Sequence, residues 1–251
     1  MKLTNQTVLV TGGAGGIGQA IVRACAEAGA RVGIHYNSSQ DAAEQLRASL
    51  PGDGHLLLPG NLSHPAEVQR IVDEAVQTWG RLDVLVNNAA IGARHAVAEV
   101  SYSEWQTAFE RVIGVNLLAP ANACYCAARQ MIAQGGGRII NIGSRGGYRG
   151  EPQRTSYGAS KAGLHAFSQS LAQELAPYNI FVTAVAPGFV ETGMARETLA
   201  GPQGDAIRAQ SPLGRVARPE EVAHTVLFLA APGSEFLTGA VIDVNGASYL
   251  R

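Results

Sequence analysis

The chain has no long apolar run: none approaches the ~18 residues that a membrane-spanning helix needs. The opening stretch, Met1-Lys-Leu-Thr-Asn-Gln6, is polar and leads straight into a β-rich segment, which is not the pattern of a secretory signal. Charge of either sign is scarce. Only 16% of residues are charged and the formal net charge is -1, so no basic face is announced and nucleic acid is not expected as a partner. Cysteine is scarce too. Cys25, Cys124 and Cys126 make an odd count with no metal-ligand spacing, so no disulfide framework and no metal site are expected. They read as small core residues in a reducing compartment, and a cytoplasmic location is the expectation.

Apolar residues and glycine are plentiful. Hydrophobic residues make up 46% of the 251, enough for one sizeable core without division into domains. The 30 glycines sit among strand ends and turns and form no linker. Thr7-Val-Leu-Val-Thr11 is a short β-rich run, followed at once by Gly12-Gly-Ala-Gly-Gly-Ile-Gly18 and a helical pattern to about Gly29. Strand, glycine loop and helix in that order suit a pyrophosphate at a helix N-terminus. Gly13 and Gly15 exceed what a plain turn requires.

Strand-like and helix-like segments then alternate. Strands are expected at 31–36, 55–58, 82–86, 138–142, 180–186 and 238–244, and helices at 41–50, 65–80, 101–116, 156–176 and 219–230. Ser63 or His64 should cap the 65–80 helix, and Ser101 with Glu104 has the spacing of a capping box. Strands that are nearly continuous in apolar residues belong to a parallel sheet covered on both faces. The expected fold class is therefore α/β: a Rossmann-type, doubly wound parallel sheet of about seven strands, in one domain spanning 1–251. Residues 189–213, with Gly201-Pro-Gln-Gly204 in their middle, read as an irregular substrate lid off a strand's carboxyl end.

Chemistry concentrates between Ser144 and Lys161. Tyr157 and Lys161 are four residues apart, so on a helix they project from one face. A lysine charge one turn away favours phenolate and is expected to lower the tyrosine pKa towards neutrality. That makes the pair a candidate general acid/base. Ser144 lies just beyond the 138–142 strand, where open α/β sheets place their ligands. After the second strand, where NAD-binding units place a carboxylate, the chain has Tyr36, Asn37, Ser38 and Ser39. Nothing there repels a 2′-phosphate and several groups can bond to one, although the same residues also suit a helix cap. Asn116 stands in the apolar stretch 112–119. On local grounds it satisfies backbone groups or pins a kink, rather than holding a water beside Lys161.

Together these segments resemble the short-chain dehydrogenase/reductase family from about Thr4 to Gly246. The family's TGxxxGxG loop matches Thr11-Gly12 and Gly16-Ile17-Gly18, and its NNAG matches Asn87-Asn88-Ala89-Ala90, with alanine in place of the glycine. Its catalytic Asn, Ser and YxxxK match Asn116, Ser144, Tyr157 and Lys161. Its PG followed by Thr matches Pro187-Gly188 and Thr192. The resemblance implies catalysis by Asn116, Ser144, Tyr157 and Lys161, with Asn116 holding a water that links Lys161 to solvent. It implies a cofactor site formed by Gly12, Gly15, Gly16, Ile17, Gly18, Tyr36, Asn37, Ser38, Asn61, Leu62, Asn88, Ala89, Ala90, Tyr157, Lys161, Pro187, Gly188, Val190 and Thr192.

Two departures bear on that cofactor site. Asn61 replaces a common aspartate at the third strand's end, and Gly15 stands where many NADP-binding members carry a basic residue. Within the family, the chain looks most like 3-oxoacyl-acyl-carrier-protein reductases, through His35-Tyr-Asn-Ser38, Tyr157-Gly-Ala-Ser-Lys-Ala-Gly163 and Phe236 to Gly246. The implied reaction is NADP(H)-dependent hydride transfer at a carbonyl, on a 3-oxoacyl thioester, in a homotetramer. An NAD-dependent alcohol or sugar dehydrogenase is the alternative, and a non-catalytic dinucleotide-binding protein is the alternative of another class. Acyl-carrier protein is a possible partner. Arg129 occupies one of two docking-arginine positions and Gln173 the other, and Arg145, Arg149 and Arg154 are candidate substitutes.

Overall fold

Aliphatic and β-branched runs form strands at Thr7–Val10 (β1), Arg31–Tyr36 (β2), Leu56–Pro59 (β3), Val84–Asn87 (β4), Gly137–Ile142 (β5), Ile180–Pro187 (β6) and Val241–Val244 (β7). The computed structural model describes residues 1–251, the side chains of Met194, Arg196 and Glu197 excepted. The strands make one sheet in the order β3-β2-β1-β4-β5-β6-β7. Every pairing is parallel. The order reverses between β1 and β4, which opens a crevice beyond the strands' carboxyl ends, the usual ligand position in such sheets.

The strands bury both faces. Val8, Val10, Val84, Val86, Ile140 and Ile142 point to one layer, packed with the helices at Gly16–Glu27 (α1), Gln40–Ala48 (α2) and Pro219–Ala230 (α10). Leu9, Leu85 and Ile139 point to the other, packed with those at Pro65–Trp79 (α3), Ala119–Gln134 (α5) and Thr155–Leu175 (α7). Alternation with period two thus serves two cores at once. The expected capping box is present: Ser101 Oγ accepts from the Glu104 N–H, and the Glu104 carboxylate accepts from the Ser101 N–H. It starts the helix Tyr102–Ile113 (α4). At the start of α3, however, neither candidate side chain caps: His64 is the flanking residue and makes no capping bond, while Ser63 bonds Asn61.

Two elements differ from expectation. The helix opened by Ser101 does not stop near Asn116. It passes through a π-helical turn at Gly114–Leu118 and continues as α5. Pro120 has no N–H to give the preceding turn, which favours the wider spacing there. The segment 189–213 is not irregular. After a single bridge from Val190 to Ala217 it forms helices at Gly193–Ala200 (α8) and Gly204–Arg208 (α9). These are short pieces whose buried Leu199 and Ile207 supply the packing that a weak helical period does not announce.

A buried polar chain clamps α7 to the sheet. Asn87 Nδ2 donates to Asn141 Oδ1 at 2.8 Å, Asn141 Nδ2 donates to Ser168 Oγ at 2.9 Å, and Ser168 Oγ donates to the Leu164 carbonyl. Asn87 also reaches Cys124 Sγ on α5. Asn87, Asn141 and Ser168 are all buried, so each depends on its neighbours. Asn141→Ala breaks the link, leaving Asn87 only Cys124 and Ser168 only the Leu164 carbonyl, and is expected to cost roughly 1–3 kcal/mol in urea unfolding. A loss below about 1 kcal/mol would show that the chain does not hold α7 in place.

Candidate active site

The glycine loop runs from β1 into α1. The Gly12 N–H donates to His35 Nδ1 at 2.9 Å, and His35 Nε2 meets the Gly60 carbonyl at 3.0 Å. These bonds assign the proton to Nε2 and leave Nδ1 as acceptor. Burial holds the imidazole below its ordinary pKa, so it is neutral. The sequence reading missed this role for His35. A histidine inside an apolar strand was the available signal, because a buried ring must find partners. Gly18 is required by close approach: a Cβ there would lie 2.1 Å from the Gly12 carbonyl oxygen. Gly16 has φ +44°, and a Cβ on it would press on Thr192 Cγ2 at 3.1 Å. Gly13 is explained by packing against Val22 and Ile34, not by ligand approach. Gly15 is the opposite case. A Cβ there meets no atom within 4 Å, and Gly15 flanks α1 without any side-chain cap. The α1 N-terminus is therefore open to an anion, and the loop fits a dinucleotide pyrophosphate.

The rest of the expected cofactor set lies around this crevice, with some side chains unavailable. Thr11 Oγ1 accepts from the N–H groups of Asn88 and Ala89, and Asn88 Nδ2 donates to the Thr11 and Gly12 carbonyls. Those residues clasp the loop by hydrogen bonds of their own. Asn37 and Ser38 are exposed at the end of β2, while Tyr36 is buried. Leu62 and Val190 are buried in the two cores, which leaves their backbones to face a ligand. Asn61 Oδ1 accepts from the Ser63 N–H and hydroxyl, so its NH₂ is the end left to offer an adenine. Pro187 and Gly188 close β6 beside Ser144: the Pro187 carbonyl accepts from the Arg145 N–H, and the Gly188 N–H donates to the Val244 carbonyl.

Ser144, Tyr157 and Lys161 come together as expected. Lys161 is buried and its Nζ donates to the Ile142 carbonyl at 2.7 Å, with the ammonium 5.8 Å from the Tyr157 ring centroid. Burial lowers its pKa to about 8. The Tyr157 pKa is not lowered, contrary to expectation. Burial of the phenol raises it, and that outweighs hydrogen bonding from Ser144, which pulls it down. Desolvation of the phenolate wins over a lysine that reaches past the ring to a backbone carbonyl. Asn116 is buried between the 91 loop and α7. Its Oδ1 accepts from the Ile91 N–H at 2.8 Å, and its Nδ2 donates to the Ile91 carbonyl at 2.9 Å and to Ser160 Oγ at 3.2 Å. Both ends of the amide are engaged with protein groups. It locks the 91 loop to α7, as the local reading of a buried amide had it.

A third residue on the catalytic face went unremarked. His165 lies one turn beyond Lys161, at the same four-residue spacing that singled out Tyr157 and Lys161. Its Nε2 accepts from the Ser144 N–H at 3.4 Å, its ring lies 4.7 Å from that of Tyr148, and its Nδ1 has no partner. A Cβ on Gly143 would fall 2.1 Å from Nε2. The imidazole thus packs under the backbone that presents Ser144.

Known proteins bear on this geometry. The enoyl-(acyl carrier protein) reductase family profile matches residues 12–247. The chain belongs to the short-chain dehydrogenase/reductase family. It is an oxidoreductase of that family, which uses a nicotinamide dinucleotide. Among curated family members, 3-oxoacyl-[acyl-carrier-protein] reductase FabG of Thermotoga maritima is 38% identical over 98% of both chains. Nodulation protein G of a Rhizobium strain is 42% identical over 98% of this chain and 97% of its own. Among solved family structures, a dehydrogenase/reductase from Sinorhizobium meliloti superposes with TM-score 0.91 at 31% identity, over 99% of this chain and 97% of that one. No helix among the described residues is long and apolar enough to cross a membrane. The described residues hold no cluster of metal-ligating side chains.

His165 gives the reductase fold an acid-sensitive point. Burial first, then the Lys161 and Arg251 charges, hold its pKa down at about 4 against an ordinary 6.5. Between those values the unfolded chain binds more protons than the folded one. Its contribution is therefore complete above pH ~6.5 and is lost as pH falls towards ~4. The size is about 3 kcal/mol, and His35, also depressed, adds in the same direction. Urea unfolding between these pH values should show that loss. His165→Gln, which keeps an acceptor and does not titrate, should flatten the slope; an unchanged slope would exclude this imidazole as its source.

Proposed function

We propose that this short-chain dehydrogenase/reductase is an NADP(H)-preferring 3-oxoacyl thioester reductase. The observation that carries the reading is the convergence of Ser144, Tyr157 and a buried, charged Lys161 beside an uncapped α1 N-terminus. When bound, the nicotinamide supplies the hydride. Ser144 holds the substrate carbonyl oxygen. Tyr157 delivers the proton to that oxygen, and its raised pKa keeps it protonated until charge develops there. Lys161 places a positive charge behind the phenol, where it stabilises the phenolate left after transfer. His165 and Gly143 hold the Ser144 backbone. This arrangement addresses a polar carbonyl oxygen, which favours carbonyl over carbon–carbon double-bond reduction.

Preference for the 2′-phosphate rests on Asn37, Ser38 and Ser39, exposed at the end of β2 with no carboxylate among them. The segment 189–213 serves as the lid, since Thr192 at its start fills the space where a Gly16 side chain would stand. Exposed Arg129 on α5 and exposed Arg149 and Arg154 are the cations open to an acidic carrier protein. Arg145 is buried and drops out of that set. A homotetramer in a reducing cytoplasm completes the reading. Buried Cys25 and Cys124, their thiols pushed up to about 12 by burial, are inert there.

Purified protein should oxidise NADPH with a short 3-oxoacyl thioester, and faster than with simple ketones or sugars. Activity confined to the latter would overturn the substrate assignment. Tyr157→Phe should lower kcat at least ~10²-fold while dinucleotide affinity holds. Near-normal turnover would end the proton-donor role. Asn37→Asp places a carboxylate beside the proposed 2′-phosphate and should raise KM for NADPH more than for NADH. Equal effects, or a wild-type preference for NADH, would place the 2′ position elsewhere.

A further inference from the structure

Directly after Ser144, the chain buries a cation that the reaction does not use. Arg145 is only 2% exposed. It lines a cavity of about 150 Å³ between α9, the segment 211–217 and the end of β7, together with Phe189, Ser211, Arg215, Asn245 and Gly246. The group carries five N–H donors. Only Nη2 makes a hydrogen bond, at 2.5 Å to the neutral Oε1 of Gln210, and the guanidinium carbon lies 5.3 Å from the Phe189 ring centroid. It has no ion pair among the described residues.

The carboxylates that line the same cavity are already taken. Both oxygens of Glu221 accept from Arg215, and Asp243 accepts from Arg251. Glu151 acts on Arg145 only through space, and Arg149 opposes it. The cavity therefore carries one uncompensated positive charge, presented on a rigid planar fork. A buried charge without a counter-charge is costly, and burial indeed holds this guanidinium below its ordinary pKa. The cavity has room for several waters. That admits a carboxylate or a phosphate group.

We infer that this cavity is a binding site for a small oxyanion, held by the guanidinium fork of Arg145 against Phe189. The group that fits is a carboxylate or a phosphate, which match the fork's paired donors. The site is separate from the dinucleotide crevice and does not depend on the substrate assigned above. It adjoins that crevice through Arg145 and Phe189, which flank Ser144 and Gly188 in the chain.

Thermal unfolding of the full chain tests this, with inorganic phosphate or acetate titrated at ionic strength matched by chloride. Both ions should raise the melting temperature of the wild type if the site takes any oxyanion. A response to one alone identifies the group it prefers. Two variants locate the effect. Arg145→Met removes the charge and should shift the response to at least tenfold higher anion concentration. Gln210→Glu supplies a carboxylate where Arg145 already bonds, at an oxygen that also accepts from Arg149 at 3.3 Å. It should raise stability in chloride alone and weaken the anion response at least tenfold. The glycine loop, also an anion site, is unchanged in all three proteins, so the differences report the cavity. An anion response that is the same in wild type and Gln210→Glu, or none in wild type beyond that of chloride, overturns the proposal, whether or not Arg145→Met folds.

Discussion

The buried ammonium of Lys161 is the constraint on which the catalytic side of this molecule depends. Burial argues against charge there and lowers the pKa to about 8, yet the group remains largely protonated near neutrality. It can do so because the Ile142 carbonyl, at the end of β5, accepts from it at 2.7 Å. That bond requires α7 to lie against β5 in one register. The Asn87–Asn141–Ser168 chain supplies the register from β4 and β5, and Asn116 supplies it from the π-helical turn through Ser160. Polar groups in the interior are thus spent on aligning one helix, where partial satisfaction would be worse than an apolar core.

Around that helix Tyr157 and Ser144 are held by different means. Tyr157 is placed by helix geometry, four residues from Lys161. Ser144 is placed by packing: Gly143 has no room for a side chain because His165 occupies it. The phenol stays protonated since its desolvation exceeds what the Ser144 hydroxyl returns. A proton donor that holds its proton until an oxyanion develops suits carbonyl reduction better than a tyrosine already ionised at rest. On the cofactor side, the same economy of space appears at Gly12 and Gly18, while Gly15 is left open at the foot of α1.

The segment 189–213 shows how position beside the sheet decides which residues are buried. Ile207 of α9 and the end of β7 line one cavity, and Arg145 is buried beside it, while Arg149 and Arg154 remain exposed, Arg149 reaching the Gln210 oxygen from outside. Three arginines in one loop therefore meet two fates. Exposed cations cost little and suit transient attraction, whereas a buried one demands a partner.

Much was legible in order along the chain. Strand–glycine loop–helix, alternating apolar segments and the Tyr157–Lys161 spacing determined the fold class, the crevice and the meeting of that pair on one helix face, because each rests on periodicity or on a local steric need. Local periodicity was silent on α5, and on α8 and α9 because their helical pattern is weak and their stability comes from packing. Tertiary structure alone decided the protonation of Tyr157, the engagement of Asn116 with Ile91 and Ser160, the support given by His35 and His165, and the burial of Arg145. Each of these depends on which groups distant in sequence exclude water from one another, and desolvation is a property of the assembled neighbourhood, not of the residue type.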